Sequence, residues 1–105
     1  MRELETKEEF DEFIEENKDK LVVIDFHAEW CGPCKMIGPK FEAMKDDFPD
    51  AVFAKVDVDE NEDVAEEYDI QAMPTFLVFK SGSKVDSMTG ANKDTLRSTI
   101  EKHYE

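Results

Sequence analysis

Cysteine is scarce in this chain of 105 residues, which has two, Cys31 and Cys34, three positions apart. A disulfide between them closes a loop of four residues, which restrains the unfolded chain very little. In a reducing compartment such a pair is more typical of catalysis or metal binding than of a structural cross-link. The pair therefore indicates chemistry rather than structural support.

Long apolar runs are absent as well. No run approaches the roughly 20 residues that a membrane-spanning helix requires. The first ten residues, MRELETKEEF, lack the apolar stretch of a secretory signal. We therefore expect a cytoplasmic protein that does not span a membrane.

Basic side chains are few, because 13 Lys and Arg stand against 27 Asp and Glu, and the net charge is −14 at pH 7. Such a charge repels phosphate backbones and anionic lipids. We therefore expect no nucleic acid and no membrane surface as partners. The 40% of hydrophobic residues, with eight Phe among them, are sufficient for one buried core. We expect a monomer that forms a single domain over residues 1–105.

Hydrophobic periodicity divides the chain into alternating strands and helices. The apolar run Leu21–Phe26 is typical of a strand covered on both faces, and Thr6 with Glu9 has the pattern of a helix-capping box. We predict an α/β fold of order βαβαβαββα, with a mixed β-sheet and helices on both faces. The located elements are a helix to about Asn17, the strand Leu21–Phe26, a helix after the cysteines kinked at Pro39, a strand over Val52–Val58, a short helix around Val64–Tyr68, antiparallel strands over Thr75–Phe79 and from Lys84, and a helix from Asn92.

The segment Trp30–Lys35, WCGPCK, lies between a predicted buried strand and a predicted helix. Cys31 falls at the helix N-terminus, where unpaired N–H groups and the helix dipole favour a thiolate over a thiol. Pro33 is tolerated in the first helical turn. Cys34 lies one turn inside the helix, so we expect it to be less accessible than Cys31.

Together these motifs resemble the thioredoxin family, most closely its eukaryotic cytosolic members. The resemblance covers almost the whole chain and is far more specific than a C-x-x-C pair alone. The motifs are WCGPCK with the following Met36–Ile37, Val23–Phe26 before them, Lys55–Asp59, Met73–Phe76 and Gly90–Lys93.

The resemblance implies a thiol-disulfide oxidoreductase that reduces protein disulfides. Cys31 would attack, Cys34 would resolve the mixed disulfide, and Asp25 would assist proton transfer at Cys34. A cis bond would join Met73 to Pro74. The implied docking surface consists of Trp30, Gly32, Pro33, Met73, Pro74, Thr75, Gly90 and Ala91.

The resemblance also implies where electrons come from and where they go. No bound cofactor is required, since electrons would arrive from NADPH through thioredoxin reductase. Implied clients are peroxiredoxins, methionine sulfoxide reductases and ribonucleotide reductase. The chain departs from the family at His27, where many members have an aromatic or a small residue, and in lacking the extra cysteines of vertebrate members.

Two charged residues interrupt predicted strands. Asp25 shares the face of Val23 by the alternation of a strand. It is either a strand-end residue that reaches water or, as the resemblance implies, a buried acid with a raised pKa, and we expect the second. Lys55 is a supporting residue, either at a strand edge or as the ion partner of Asp25. The acidic stretches Glu8–Glu16 and Asp57–Asp69 either form solvated faces or favour docking to partners with basic surfaces.

Three alternatives stay open from the residues. The cysteines could form half of a zinc site with His27 and His103, although these histidines lack paired spacing. The protein could be a redox-gated module that binds partners without turnover. It could also be an oxidase or isomerase of the protein disulfide isomerase type, which normally requires a secretory route and a dipeptide other than Gly32–Pro33.

Overall fold

The computed structural model describes residues 1–104, so Glu105, the last residue of the predicted domain, lies outside the described part. The element order is the predicted βαβαβαββα, with a short 3-10 turn at Lys45–Asp47. The elements are β1 (Arg2–Glu3), α1 (Lys7–Glu16), β2 (Leu21–His27), α2 (Gly32–Met44), β3 (Ala51–Asp57), α3 (Glu62–Glu67), β4 (Thr75–Lys80), β5 (Ser83–Thr89) and α4 (Lys93–His103).

The five strands form one mixed sheet in the order β1-β3-β2-β4-β5. β1 and β2 both pair with β3 in parallel, whereas β4 pairs antiparallel with β2 and with β5. The short link between β4 and β5 permits this antiparallel pairing, as predicted. The edges of the sheet are β1, which has two residues, and β5, whose pairing with β4 is irregular near Val78 and Phe79.

Strand β2 is buried on both faces because helices cover both sides of the sheet. Its even-numbered residues Val22, Ile24 and Phe26 pack in a cluster with side chains of α1 and α3. Val23 packs in a second cluster with side chains of α2 and α4. The predicted layers, a mixed sheet between helices, are thereby confirmed.

The capping pattern at the start of α1 forms in part. Thr6 Oγ1 accepts a hydrogen bond from the Glu9 N–H at 3.1 Å, which confirms Thr6 as the N-cap. The Glu9 carboxylate lies 3.8 Å from the Arg2 guanidinium. Among residues 1–104, no helix has the length and apolar character needed to cross a bilayer.

Phe41 anchors α2 against the sheet. Its ring is fully buried and lies 4.6 Å from the Phe53 ring in a stacked arrangement and 5.2 Å from the Phe76 ring, measured between centroids. These contacts combine apolar burial with favourable ring geometry. They hold the helix that carries the cysteines on the sheet.

Phe41→Ala should therefore lower the free energy of unfolding by about 3–5 kcal/mol, since it leaves a cavity beneath α2. Urea denaturation followed by circular dichroism measures this change. Met36→Ala is the matched control, because Met36 lies on the same helix with an exposed side chain. That variant should stay within about 0.5 kcal/mol of the parent. Equal losses in the two variants would contradict the anchoring role of Phe41.

Candidate active site

Cys31 and Cys34 form a disulfide at the start of α2, with their Cα atoms 5.3 Å apart. Cys31 is the N-cap of α2, and its Sγ accepts a hydrogen bond from the Cys34 N–H at 3.2 Å. A sulfur therefore takes the capping place that a Ser or Asp oxygen usually fills. When the disulfide is reduced, the same N–H and the positive end of the helix dipole favour a thiolate at Cys31.

The predicted difference in accessibility between the cysteines is wrong for the disulfide form. Each of the two residues is about 5% exposed. Both pack against Ala28, with Val58 and Met73 at the margin of this small cluster. Because the bonded sulfurs also cover each other, position along the helix does not separate the two residues in this state.

Trp30 is the most exposed large apolar side chain beside the disulfide, with 69% of its surface accessible. Its indole Nε1 donates a hydrogen bond to Asp59 Oδ2 at 2.8 Å, just beyond the end of β3. A shallow groove of about 440 Å³ runs between Trp30, Val58 and Met73 and has acidic side chains at its rim, including Asp59. The groove thus combines an apolar floor with negative charge.

The loop before β4 approaches the cysteines from the other side. The peptide bond between Met73 and Pro74 is cis, which confirms the prediction. The Pro74 carbonyl accepts a hydrogen bond from the Gly90 N–H at 2.9 Å, and Gly90 adopts φ 110°, a conformation that L side chains rarely reach. Thr75 is buried, and its hydroxyl donates to the Ala72 carbonyl at 2.6 Å.

The remaining predicted docking residues lie at the ends of α2 and α4. Gly32 and Pro33 are exposed in the first turn of α2, next to the disulfide. Ala91 is half-buried against the core beneath α4. The sheet thereby places the WCGPCK segment, the Met73–Thr75 loop and the end of β5 on one side of the molecule.

Asp25 is buried near the carboxyl end of β2, where it is 3% exposed. Its Oδ1 has no hydrogen-bond partner among the described residues. Burial raises the pKa of Asp25 from 3.8 to about 6, while the positive charges of His27 and Lys55 oppose that rise and the negative charge of Glu3 adds to it. The predicted burial and the raised pKa are both confirmed. A cavity of about 450 Å³ is lined by both Asp25 and Cys34.

Lys55 lies directly beside Asp25 in the ladder between β2 and β3. Its ion pair is nevertheless with Glu3, whose Oε1 lies 3.9 Å from Lys55 Nζ. The physical reason is the neighbouring strand, since β1 places Glu3 on the other side of Lys55. Lys55 therefore acts on Asp25 through its charge, which lowers the pKa of Asp25, rather than as its direct partner.

Comparison with known proteins shows which family has this arrangement. The thioredoxin family profile matches residues 2–102. The chain belongs to the thioredoxin family. A thioredoxin of Geodia cydonium is 54% identical over 101 residues, which cover 95% of each chain. The crystal structure of Fasciola hepatica thioredoxin superposes with a TM-score of 0.95 at 50% identity, covering 98% of this chain and 99% of that one.

A further structure, from yeast, concerns how glutathione and thioredoxin systems resolve a mitochondrial 1-Cys peroxiredoxin. It matches with a TM-score of 0.90 and 38% identity, covering 97% of this chain and 94% of that chain. With the disulfide pair at the start of α2, family membership makes the chain a thiol-disulfide oxidoreductase, a protein-disulfide reductase of the thioredoxin type.

The sequence leaves His27 and His103 open as zinc ligands beside the cysteines. The structure instead places His27 in the Asp25 cavity, with its Nε2 3.1 Å from Glu3 Oε2. His103 bonds to Asp86 at 2.8 Å. Within residues 1–104, no group of three or more His, Cys, Asp or Glu side chains is arranged to hold a metal ion. The signal that could have found His27 is its spacing from Asp25, since residues two apart share a strand face.

Asp25→Asn should stabilise the fold at pH 8 by about 2–3 kcal/mol and change little at pH 3. The folded pKa of about 6 exceeds the ordinary 3.8. The unfolded chain therefore loses this proton first, and stability falls between about pH 4 and pH 6. Denaturant midpoints at the two pH values measure the effect.

Asp86→Asn is the control of opposite sign, because the hydrogen bond with His103 lowers the pKa of Asp86. Its substitution should destabilise the fold at neutral pH. A loss of stability in Asp25→Asn at pH 8 would contradict the buried-acid assignment.

Proposed function

We propose that the protein acts in the cytoplasm as a monomeric, single-domain reductant of protein disulfides. Electrons pass from NADPH through thioredoxin reductase to Cys31 and Cys34, with no cofactor bound to the chain. The observation that carries this proposal is the disulfide capping α2 beside an exposed Trp30 and above a buried Asp25. The Gly32–Pro33 dipeptide between the cysteines favours the reductant over an oxidase or isomerase.

In the first step, the Cys31 thiolate attacks one sulfur of a client disulfide. A bond forms between Cys31 Sγ and that sulfur, while the second client sulfur leaves as a thiolate. The Cys34 N–H, which already points at Cys31 Sγ at 3.2 Å, supports the attacking thiolate.

In the second step, Cys34 resolves the mixed disulfide. The Cys34 thiol gives its proton to the Asp25 carboxylate and attacks Cys31 Sγ, so the client leaves with both sulfurs reduced. The shared cavity and the unpartnered Asp25 Oδ1 support Asp25 as the proton acceptor. A pKa of about 6 leaves this carboxyl largely ionised at neutral pH and still basic enough to accept a proton.

A lowered thiol pKa contributes only part of the rate. Lowering a thiol pKa from ~8.5 to ~7 raises the thiolate fraction at pH 7 roughly 16-fold but reduces nucleophilicity about fivefold, a net gain of about threefold. Positioning of the client must supply the remainder. We assign it to the surface formed by Trp30, Gly32, Pro33, Met73, Pro74, Thr75, Gly90 and Ala91.

The clients are proteins whose disulfides reach this surface. Peroxiredoxins are the first class, and the peroxiredoxin system of the yeast structure supports that choice. Methionine sulfoxide reductases and ribonucleotide reductase are further classes. A net charge of −14 favours clients with basic surfaces around the disulfide.

With thioredoxin reductase and NADPH, the protein should reduce many equivalents of a protein disulfide such as insulin. NADPH absorbance measures turnover, and the reductase without this protein gives the background. Cys31→Ser is the matched inactive control. Reduction that stops at one equivalent while the reductase is active would favour the redox-gated binding module.

Cys34→Ser should trap clients through Cys31, because the mixed disulfide forms but cannot be resolved. Incubation with disulfide-containing proteins, followed by non-reducing electrophoresis, detects the covalent adducts. Cys31→Ser is the control and should trap far less. Equal trapping by both variants would contradict the division of roles between the two thiols.

A further inference from the structure

Five ionisable side chains meet on one face of the sheet at the carboxyl ends of β2 and β3. The ladder places Glu3, Lys55 and Asp25 side by side, because Glu3 pairs with Lys55 and Lys55 with Asp25. His27 and Asp57 form the next pair along the same two strands. Since side chains two residues apart share a strand face, His27 lies about 6.6 Å along β2 from Asp25.

These groups share the cavity that Cys34 also lines. Exposure increases outward along it, from 3% for Asp25 to 17% for the His27 side chain and 30% for the Glu3 side chain. The contact of 3.1 Å between His27 Nε2 and Glu3 Oε2 fixes the imidazole in this position. His27 is thus held next to the buried carboxyl rather than turned into solvent.

We propose that His27 is a positioning residue for the resolving step: its protonated imidazole keeps Asp25 ionised at lower pH, so that Cys34 retains a proton acceptor. This inference rests on the proposed role of Asp25.

The surrounding charges determine the direction of the effect. Burial raises the pKa of Asp25, and a charged His27 is the largest opposing influence, followed by Lys55. Imidazole is the side chain whose ordinary pKa lies between pH 5 and pH 8, so the charge of a histidine depends on pH in the neutral range. A charged His27 therefore opposes the protonation of Asp25.

Other charged groups face the same cavity and contribute to the electrostatic potential at Asp25 in the parent and in the His27 variants alike. They are Asp57 from β3, Lys35 and Glu42 from α2, Glu60 from the loop before α3, Glu29 from the loop before α2, and the amino terminus at Met1. The amino group of Met1 is paired with Glu42 at 3.2 Å, which reduces the effect of both charges on Asp25.

Coulomb's law gives the size of the effect. If the strand spacing of about 6.6 Å is taken as the separation of two unit charges, an effective dielectric constant between about 20 and 80 gives a shift of about 0.5–1.8 pH units. We therefore expect loss of His27 to move the Asp25 midpoint upward by at least about half a unit.

The test compares His27→Gln, His27→Phe and His27→Lys with the parent protein. One readout is the rate of the resolving step against pH, measured by stopped-flow Trp30 fluorescence with a saturating peptide disulfide. The other is a carbon-13 NMR titration of the Asp25 carboxyl in the reduced protein. Both neutral variants should raise the acid midpoint by at least about half a unit in each readout, whereas His27→Lys should not raise it.

Comparing the two neutral variants with His27→Lys separates an effect of the His27 charge from an effect of its packing. If all three variants shift the midpoint in the same direction, or if neither neutral variant shifts the Asp25 titration, the inference is overturned. Using two neutral replacements keeps the test decisive should one fold poorly.

Asp25→Asn separates a failure of the role proposed for Asp25 from a failure of the role inferred for His27. If the resolving rate of this variant still falls at low pH as in the parent, Asp25 is not the proton acceptor, and the proposed function of Asp25 fails. If this fall at low pH disappears in Asp25→Asn but keeps the parent's midpoint in His27→Gln, only the role of His27 is overturned.

Discussion

Two-sided burial of β2 is the constraint from which the chemistry of this protein follows. Helices cover both faces of the strand, so each of its side chains enters one of the two cores or the cavity on the α2 side of the sheet. Alternation sends Asp25 to the side of α2, where its carboxyl faces the space beneath Cys34. Burial then raises its pKa to about 6. A carboxyl near the end of a solvated strand would have an ordinary pKa and would accept protons poorly at neutral pH.

The start of α2 provides the complementary half of the site. A helix begins with unpaired N–H groups, and here the sulfur of Cys31 satisfies one of them. The same bond that caps the helix therefore favours the thiolate, so helix formation and nucleophile activation use one interaction. Phe41, stacked on Phe53 near the other end of α2, helps to hold the helix that carries the cysteines on the sheet.

The features of the fold and site that can be predicted are those determined by residues close together in the sequence. The apolar run of β2, the Thr6 cap and the face occupied by Asp25 all follow from neighbouring residues, and the structure agrees with them. The order βαβαβαββα, which includes a first strand, is confirmed, but the residues of β1 could not be located because Arg2 and Glu3 are too few to show an alternation.

The unpredicted parts depend on contacts between distant strands. Lys55 pairs with Glu3 because β1 lies beside β3, and no spacing within the sequence reveals that neighbour. His27 contacts Glu3 of that same strand, which the sequence does not reveal, although its place beside Asp25 follows from the alternation of β2. The equal exposure of the cysteines depends on their bonded state, which helix position alone does not describe.

The form of the two sheet edges affects behaviour at high concentration. An exposed edge strand is a template on which another chain can extend the sheet, and long flat edges promote aggregation. Here β1 has two residues, and β5 carries Lys84 and Asp86 beside a local irregularity in its pairing. With a net charge of −14, two copies that approach edge to edge also repel each other. We therefore expect crowded solutions of this protein to resist growth of an intermolecular sheet.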